Sequence, residues 1–231
     1  TAYRLAERFW PGPLTMILKR RPIVPDVVTA GMDTVGMRCP SHPVCRAILQ
    51  AAEVPVAAPS GNTSGRPSPT TAAHMAEDME GRIDAIVDGG PCSVGVESTI
   101  VDLTETPPRL LRPGGITLEQ LESVLGRVEV DQAVTRLMSA GEKPRAPGMK
   151  YRHYAPKAPV TVVAGPPERT AEHIARSLTP GDGVICFDAL RAFDHTEVPR
   201  IWAQCPDPSG LGLAINNRLN KAAGFHIVEV K

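Results

Sequence analysis

The sequence contains no apolar run of the roughly eighteen residues that a membrane-spanning helix needs. Its first residues, Thr1 to Arg8, have the pattern of an amphipathic fragment rather than of a secretory signal. Hydrophobic residues still make up 42% of the 231 positions, enough for one large or two small domains with a proper core. We therefore expect a globular protein with no membrane partner, located in the cytoplasm.

Paired cysteines and net charge are also missing. The five cysteines form an odd set without a Cys-x-x-Cys pair, which argues against a disulfide framework and a structural zinc site. We expect reduced thiols. Because 25 basic residues balance 25 acidic ones, no overall field favours nucleic acid, and an RNA partner would need a local basic patch.

Several catalytic signatures are absent as well. There is no Gly-x-x-x-x-Gly-Lys-Ser/Thr loop and no Gly-x-Gly-x-x-Gly after a strand, so any ATP is bound without a P-loop. The segment Gly61 to Gly65 lacks the Gly-x-Ser-x-Gly register of a hydrolase nucleophile, and no His-Glu-x-x-His pair occurs. Protease and zinc-hydrolase functions are thereby disfavoured.

One loop, Ala58 to Thr70, concentrates small and hydroxylic residues. It follows the apolar run Val54 to Ala58, which we interpret as a buried strand. Gly61 and Gly65 allow the backbone to approach a ligand closely, and the prolines limit the entropy lost on binding. Such a composition suits a phosphate or nucleotide cradle, although an ordinary surface loop is built from the same residues.

Strand-like and helix-like segments alternate from residue 1 to about 132. The pattern predicts an α+β fold with a twisted sheet of mixed strand direction. The predicted helices are Ala2 to Phe9, a Ser41-capped helix to Ala52, a helix capped by Thr70 or Thr71 to Met79, and one that follows a Thr117/Gln120 capping box. The predicted strands are Met16 to Leu18, Thr34 to Met37, the β-branched run Ile83 to Val87, and a hairpin of Ser98 to Leu103 with Arg109 to Leu111.

Residues 133–159 show little periodicity, contain many prolines and glycines, and are basic, so we interpret them as a linker. After them, strands at Val160 to Val163, Val184 to Phe187 and Ile227 to Val230 alternate with helices at Glu168 to Leu178 and Leu211 to Ala223. This predicts a small Rossmann-like parallel α/β domain over residues 160–231.

Together with the Ala58 to Thr70 loop, several further segments resemble, in order and spacing, the YrdC/Sua5 family of L-threonylcarbamoyladenylate synthases. They are Phe9-Trp-Pro-Gly-Pro-Leu-Thr15, Asp33-Thr-Val-Gly-Met-Arg-Cys-Pro40, Asp88-Gly-Gly-Pro91 through Glu97-Ser-Thr-Ile-Val-Asp102, Leu111-Arg-Pro-Gly-Gly-Ile116 and the linker string Ala146-Pro-Gly-Met-Lys-Tyr-Arg-His-Tyr-Ala-Pro156. The resemblance covers nearly the whole chain and implies a YrdC-like catalytic domain at 1–132, followed by the linker and a Sua5-type C-terminal domain.

The activity that this resemblance implies is nucleotidyl transfer. Such enzymes combine L-threonine, bicarbonate and ATP, release pyrophosphate, and pass threonylcarbamoyl-AMP to the transferase machinery that makes t6A in tRNA. Magnesium is expected to accompany ATP, although the sequence shows no acidic metal motif. The alternative is a YrdC-like module that binds nucleotide or, weakly, RNA without synthesis, which the basic linker would favour.

Thr34 and Arg38 lie four residues apart on a predicted strand and therefore share one face. The guanidinium fork of Arg38 suits the carboxylate of an amino acid, and equally that of an internal acid such as Glu97. The resemblance implies that Thr34 contacts the nucleotide and that Arg38 contacts L-threonine.

The resemblance also implies ATP contacts from Ser60, Ser68, Arg112 and Tyr151, and L-threonine contacts from Ala58 and Ser98. From the residues alone, Ser98 could be a cap or loop residue, Arg112 part of an ordinary turn, and Tyr151 an anchor of the linker. No residue must act as a covalent nucleophile. We expect catalysis by positioning and by electrostatic stabilisation from Arg38, Arg112 and loop amides.

The chain does not begin with methionine and opens within a predicted helix. The resemblance implies an additional upstream segment with strands and a Lys-x-Arg motif that contacts the nucleotide. We accordingly expect the 231-residue chain by itself to be deficient in catalysis.

Overall fold

Two β-sheets organise the chain in a computed structural model that describes residues 1–63, 66–136, 155–185, 193 and 197–231. The first sheet lies within residues 1–136, whose elements are α1 (Ala2–Phe9), β1 (Leu14–Lys19), α2 (Asp26–Thr29), β2 (Thr34–Met37), α3 (Pro43–Ala52), α4 (Ala72–Met79), β3 (Thr99–Asp102), β4 (Arg109–Arg112), α5 (Leu118–Leu125), β5 (Glu129–Val130) and α6 (Gln132–Thr135). The second sheet is built from β6 (Val160–Ala164), β7 (Gly183–Ile185), β8 (Ile201–Gln204) and β9 (Ile227–Glu229), with helices α7 (Pro167–Ser177) and α8 (Gly212–Ala222).

The first sheet has the strand order β2-β1-β3-β4-β5. Strand β1 is antiparallel to β2 and parallel to β3, and β4 is antiparallel to β3 and parallel to β5. The predicted mixed sheet is therefore confirmed. Apolar side chains pack on both of its faces: one cluster includes Leu5, Leu14, Met16, Val101, Leu110 and Leu121, and the other consists of Ile17, Ile100, Leu111 and Ala133.

The second sheet has the order β7-β8-β6-β9, and all its strands are parallel. Such sheets need apolar cover on both faces. Helix α7 supplies Ile174 against Val163 and Trp202, while α8 supplies Ile215 and Leu219 to the other face. The predicted parallel α/β unit is confirmed.

Helix α8 also reaches the first sheet. Its Leu213 packs against the core cluster of the first sheet, and its buried Asn217 donates from Nδ2 to the carbonyl of Val134 at 2.7 Å. In the opposite direction, Val96 packs against the core of the second sheet. Helix α8 thus joins the two sheets just beside the start of β3.

Two predicted strands are wrong. Val54 to Ala58 and Ile83 to Val87 form no strand, and Val54 and Val87 are 59% and 63% exposed. A strand needs a hydrogen-bonded neighbour, and no described strand lies alongside either run. The apolar run before the Ala58 to Thr70 loop is therefore a surface segment and not a buried strand.

The cap predicted for α3 is also wrong. The helix begins at Pro43, its N-cap is His42 without a side-chain cap bond, and Ser41 lies one residue outside. Proline at the first helical position, with its fixed φ, sets the start of the helix. The other caps are confirmed: Thr71 accepts from the amide of His74, and Thr117 and Gln120 form a full capping box.

Candidate active site at one edge of the first sheet

Four strand ends meet at one edge of the first sheet. The starts of β1 and β3 lie together because Leu14 pairs with Thr99. The end of β2 reaches them through the pairing of Met16 with Met37, and the end of β4 through that of Ile100 with Arg112. This topology brings residues that are distant in sequence to one place.

Ser98 lies at the centre of this edge and is only 4% exposed. Arg112 donates to its carbonyl from Nε at 3.1 Å and from Nη2 at 2.9 Å, and to its hydroxyl from Nη2 at 3.2 Å. The Ser98 hydroxyl also contacts the hydroxyl of Thr15 at 2.9 Å. The position and orientation of this hydroxyl are therefore fixed from two neighbouring strands.

The turn after β4 lies tightly against the start of β3. A Cβ atom on Gly114 would lie 2.3 Å from the carbonyl oxygen of Glu97 and 2.5 Å from the amide of Thr99, so only glycine fits. The amide of Gly115 donates to that same Glu97 carbonyl at 3.1 Å. The glycine pair of the Leu-Arg-Pro-Gly-Gly segment thus holds Arg112 against Ser98.

The Glu97 carboxylate joins three parts of the chain. Ser68 donates from its hydroxyl to Oε1 at 2.8 Å, and Arg218 of α8 pairs with Oε2. Burial alone would raise the pKa of Glu97, but the guanidinium groups of Arg218 and Arg112 and the Ser68 hydroxyl together hold it below its ordinary value of 4.5. Glu97 is consequently ionised at neutral pH.

A third cation, Lys221, lies behind this cluster and is 3% exposed. Burial, helped by Arg218 and Arg112, lowers its pKa to about 8, while Glu97 and Asp131 oppose the shift. Three basic side chains therefore face two carboxylates here. This arrangement favours the binding of anionic groups at the sheet edge.

The loop before Ser68 is bound to helix α4. Asp78, whose side chain is fully buried, pairs with Arg66 and accepts from the amide of Thr63 at 3.2 Å. Gly61 packs closely against the end of the Met75 side chain, so that a Cβ atom there would displace the thioether. The loop residues next to Ser68 are thereby held in place by a helix.

The structure brings together three of the predicted site residues: Ser68, Ser98 and Arg112. Arg38 directly follows β2 at the same edge, and its side chain is exposed. The internal acid considered as its partner, Glu97, instead binds Arg218 and Ser68. Arg38 is therefore not paired with Glu97.

Of the other predicted site residues, Thr34, Ala58 and Ser60 are among those that the structure describes. Thr34 pairs with Lys19 at the far end of β2, about 13 Å from Arg38 at the usual rise per strand residue. Ala58 and Ser60 are exposed in the loop, and Tyr151 lies outside the described residues. Sequence reasoning missed Arg218 as a site residue, because 121 positions separate it from Glu97 and no local pattern marks it.

The described ranges contain no group of three or more His, Cys, Asp or Glu side chains arranged to hold a metal ion. No helix within them combines the length and the apolar character needed to cross a bilayer. Their four cysteines, Cys39, Cys45, Cys92 and Cys205, are free thiols.

Comparisons with known proteins agree with this architecture. The Sua5/YciO/YrdC family model, described as telomere recombination, matches residues 1–114, and the model of the threonylcarbamoyl-AMP synthase C-terminal domain matches 116–186 and 185–224. A threonylcarbamoyl-AMP synthase of Pyrococcus abyssi is 44% identical, with 99% of this chain and 75% of that protein aligned. The chain belongs to the Sua5 family.

Further relatives and solved structures support the same family assignment. A threonylcarbamoyl-AMP synthase of Bacillus subtilis is also 44% identical, over 98% of this chain and 74% of that protein. The crystal structure of P. abyssi Sua5 complexed with L-threonine superposes with a TM-score of 0.90 at 44% identity, covering 100% of this chain and 76% of that one. A double variant of P. abyssi Sua5 gives a TM-score of 0.89 at 42% identity, covering 99% and 74%.

Proposed function

We propose that this chain is an L-threonylcarbamoyladenylate synthase, a nucleotidyltransferase that forms threonylcarbamoyl-AMP and pyrophosphate from L-threonine, bicarbonate and ATP. The observation that carries the proposal is the partly buried cluster of Ser68, Glu97, Ser98 and Arg112 at the sheet edge that Arg38 also borders. It occurs in a chain whose relatives, at 44% identity over nearly its whole length, carry that name.

The reaction depends mainly on how the protein positions its three substrates. The threonine amine attacks the carbon of bicarbonate, water leaves, and an oxygen of the resulting carbamate attacks the α-phosphorus while the bond to the β-phosphate breaks. Holding these groups in line converts encounters between separate molecules into reactions within one complex. We assign the threonine carboxylate to Arg38 and the hydroxyl of Ser98, with a backbone contact from Ala58.

The phosphates are assigned to the opposite side of the cluster. Arg112, with Lys221 and Arg218 behind it, would offset the negative charge that develops during displacement. Ser68, whose proton is engaged by Glu97, would accept a hydrogen bond from a hydroxyl or amino group of ATP. Thr34, Ser60 and Tyr151 are proposed to contact other parts of ATP. Thr34 suits a part of the nucleotide remote from the reacting phosphate, because it lies at the far end of β2.

Magnesium is proposed to enter with ATP as part of the substrate. The nearest carboxylate to Ser68 and Ser98, that of Glu97, is already engaged by Ser68 and Arg218. The phosphate oxygens of ATP would therefore be the main ligands of the ion. We further propose that the product is used in the cytoplasm by the t6A transferase machinery.

A nucleotide- or RNA-binding module without synthesis is the second candidate, favoured by the basic residues between Arg136 and Lys157. Calorimetry on the full-length protein separates the two functions. A synthase should bind L-threonine about tenfold more tightly or better in the presence of a non-hydrolysable ATP analogue, because the two ligands share one site. Affinity for tRNA should be unaffected by L-threonine. Independent binding of L-threonine and the analogue, with tight tRNA binding, would favour the second candidate.

A further inference from the structure

Arg218 is the point at which the second sheet's helix enters the candidate site. Its guanidinium pairs with Oε2 of Glu97, donates to the carbonyl of Pro113 at 2.8 Å, and donates to the carbonyl of Ala214 on its own helix at 2.9 Å. Glu97 precedes Ser98 and Pro113 follows Arg112. A single side chain therefore touches the immediate neighbours of two proposed ligand contacts.

Through the Glu97 carboxylate, Arg218 also affects a third proposed ligand contact, Ser68. With Oε2 bound to Arg218, Oε1 is left facing Ser68, whose hydroxyl donates to it at 2.8 Å. This bond commits the Ser68 proton to Glu97 and leaves the lone pairs of the Ser68 oxygen for another donor. If the carboxylate turned or became protonated, the Ser68 hydroxyl would lose its fixed orientation.

The ion pair of Arg218 with Glu97 is largely shielded from water. The side chains of Arg218 and Glu97 are 11% and 19% exposed, so solvent would only partly replace the partner that either lost. Helix α8 is in turn fixed by its packing between the two sheets, through Leu213 on one side and Ile215 and Leu219 on the other. The guanidinium is therefore held by a rigid element and not by a loop.

We propose that Arg218 is a positioning residue for the synthase reaction: from the C-terminal α/β domain it fixes Glu97 and the Pro113 carbonyl, and so sets the geometry of Ser68, Ser98 and Arg112. This inference rests on the proposed function and extends it, because it gives the C-terminal domain a direct part in turnover. Arg218 itself touches no substrate.

The test compares Arg218→Ala with Arg218→Lys and with the control Arg176→Ala, whose side chain is 80% exposed on α7 of the same domain. In the full-length protein Arg218→Ala should lower kcat about tenfold to a hundredfold, the range expected for a lost charge-assisted hydrogen bond. Arg218→Lys, which keeps the charge without the planar fork, should recover part of that loss. Arg176→Ala should match the wild type.

The dependence on pH distinguishes positioning from a general loss of structure. Glu97 is ionised in the wild type down to a pH below 4.5. Without Arg218, burial would outweigh the remaining favourable contacts, and the pKa of Glu97 should rise. The acid limb of kcat/KM in Arg218→Ala should then move to higher pH, whereas structural damage alone would lower kcat/KM equally at all pH values.

A readout without turnover keeps this proposal separable from the proposed function. NMR titration of 13C-labelled glutamate should show the Glu97 pKa below 4.5 in the wild type and raised in Arg218→Ala. A wild type that makes no threonylcarbamoyl-AMP would overturn the proposed function. An Arg218→Ala variant with wild-type kcat, wild-type pH profile and unshifted Glu97 would overturn the role of Arg218; if that variant does not fold, Arg218→Lys is held to the same criteria.

Discussion

Arg112→Ala should lower kcat/KM for threonylcarbamoyl-AMP formation by about a hundredfold to a thousandfold. The expected loss is large because the side chain both supplies charge to the proposed phosphate site and makes three hydrogen bonds to Ser98. Loss of a single preorganised donor to a developing charge typically costs a factor of about 10² to 10³ in rate. Steady-state assays of the product by mass spectrometry would measure it.

Arg109→Ala is the matched control for this change. Arg109 lies at the other end of the same strand, where it pairs with Glu105, Glu129 and Asp131 rather than with Ser98. Its loss should change the free energy of unfolding by about 1 kcal/mol or less and leave kcat/KM close to the wild-type value. Arg112→Ala within threefold of the wild type, with an intact fold, would show that Arg112 is only part of a turn.

Arg38→Ala should weaken L-threonine binding about tenfold to a hundredfold while changing ATP binding much less. A charge-assisted bond between a guanidinium and a carboxylate contributes about 1.5 to 3 kcal/mol, which corresponds to that range of affinity. Only L-threonine carries a carboxylate, and Arg38 is exposed at the edge that holds Ser98. Titration calorimetry with each ligand separately measures both effects.

The exposed Arg46 on α3 provides the control, since Arg46→Ala removes the same charge from a helix that the proposed site does not use. Both affinities should be unchanged in that variant. Equal losses of L-threonine and ATP affinity in Arg38→Ala would mean that Arg38 shapes the sheet edge as a whole and does not recognise the amino acid.

The predictable parts of the fold are those that local chemistry determines. The capping box at Thr117 and Gln120, the cap at Thr71 and the hairpin of β3 with β4 each depend on residues close together in sequence, and each is confirmed. The local sequence does not determine which distant strands pair with each other. The apolar run Val54 to Ala58 has a strand-like composition yet forms no strand, because composition does not supply a neighbouring strand.

Strand β8, Ile201–Gln204, illustrates the opposite error. It lies between β7 and β6 in the second sheet and contributes Ile201 and Ala203 to the core, yet no strand was predicted there, although β2, of the same length, was. The two-residue strand β5 and the four-residue helices α2 and α6 are too short to show a period and were not predicted.

The site was predictable to the extent that its residues lie in recognisable segments. Ser68, Ser98 and Arg112 were identified from resemblance, and the structure brings them into one hydrogen-bonded cluster through Glu97. The contribution of Arg218 depends on how α8 packs between two sheets. That contact becomes visible only once the chain is folded.

The synthase function is tested most directly by measuring pyrophosphate release from ATP by the full-length protein while each other substrate is omitted in turn. We expect pyrophosphate, with an equal amount of threonylcarbamoyl-AMP, only when both L-threonine and bicarbonate are present. Buffers depleted of carbon dioxide, and L-valine in place of L-threonine, serve as controls that should release none. Pyrophosphate release at the same rate without L-threonine would show that the protein is not a threonylcarbamoyl-AMP synthase.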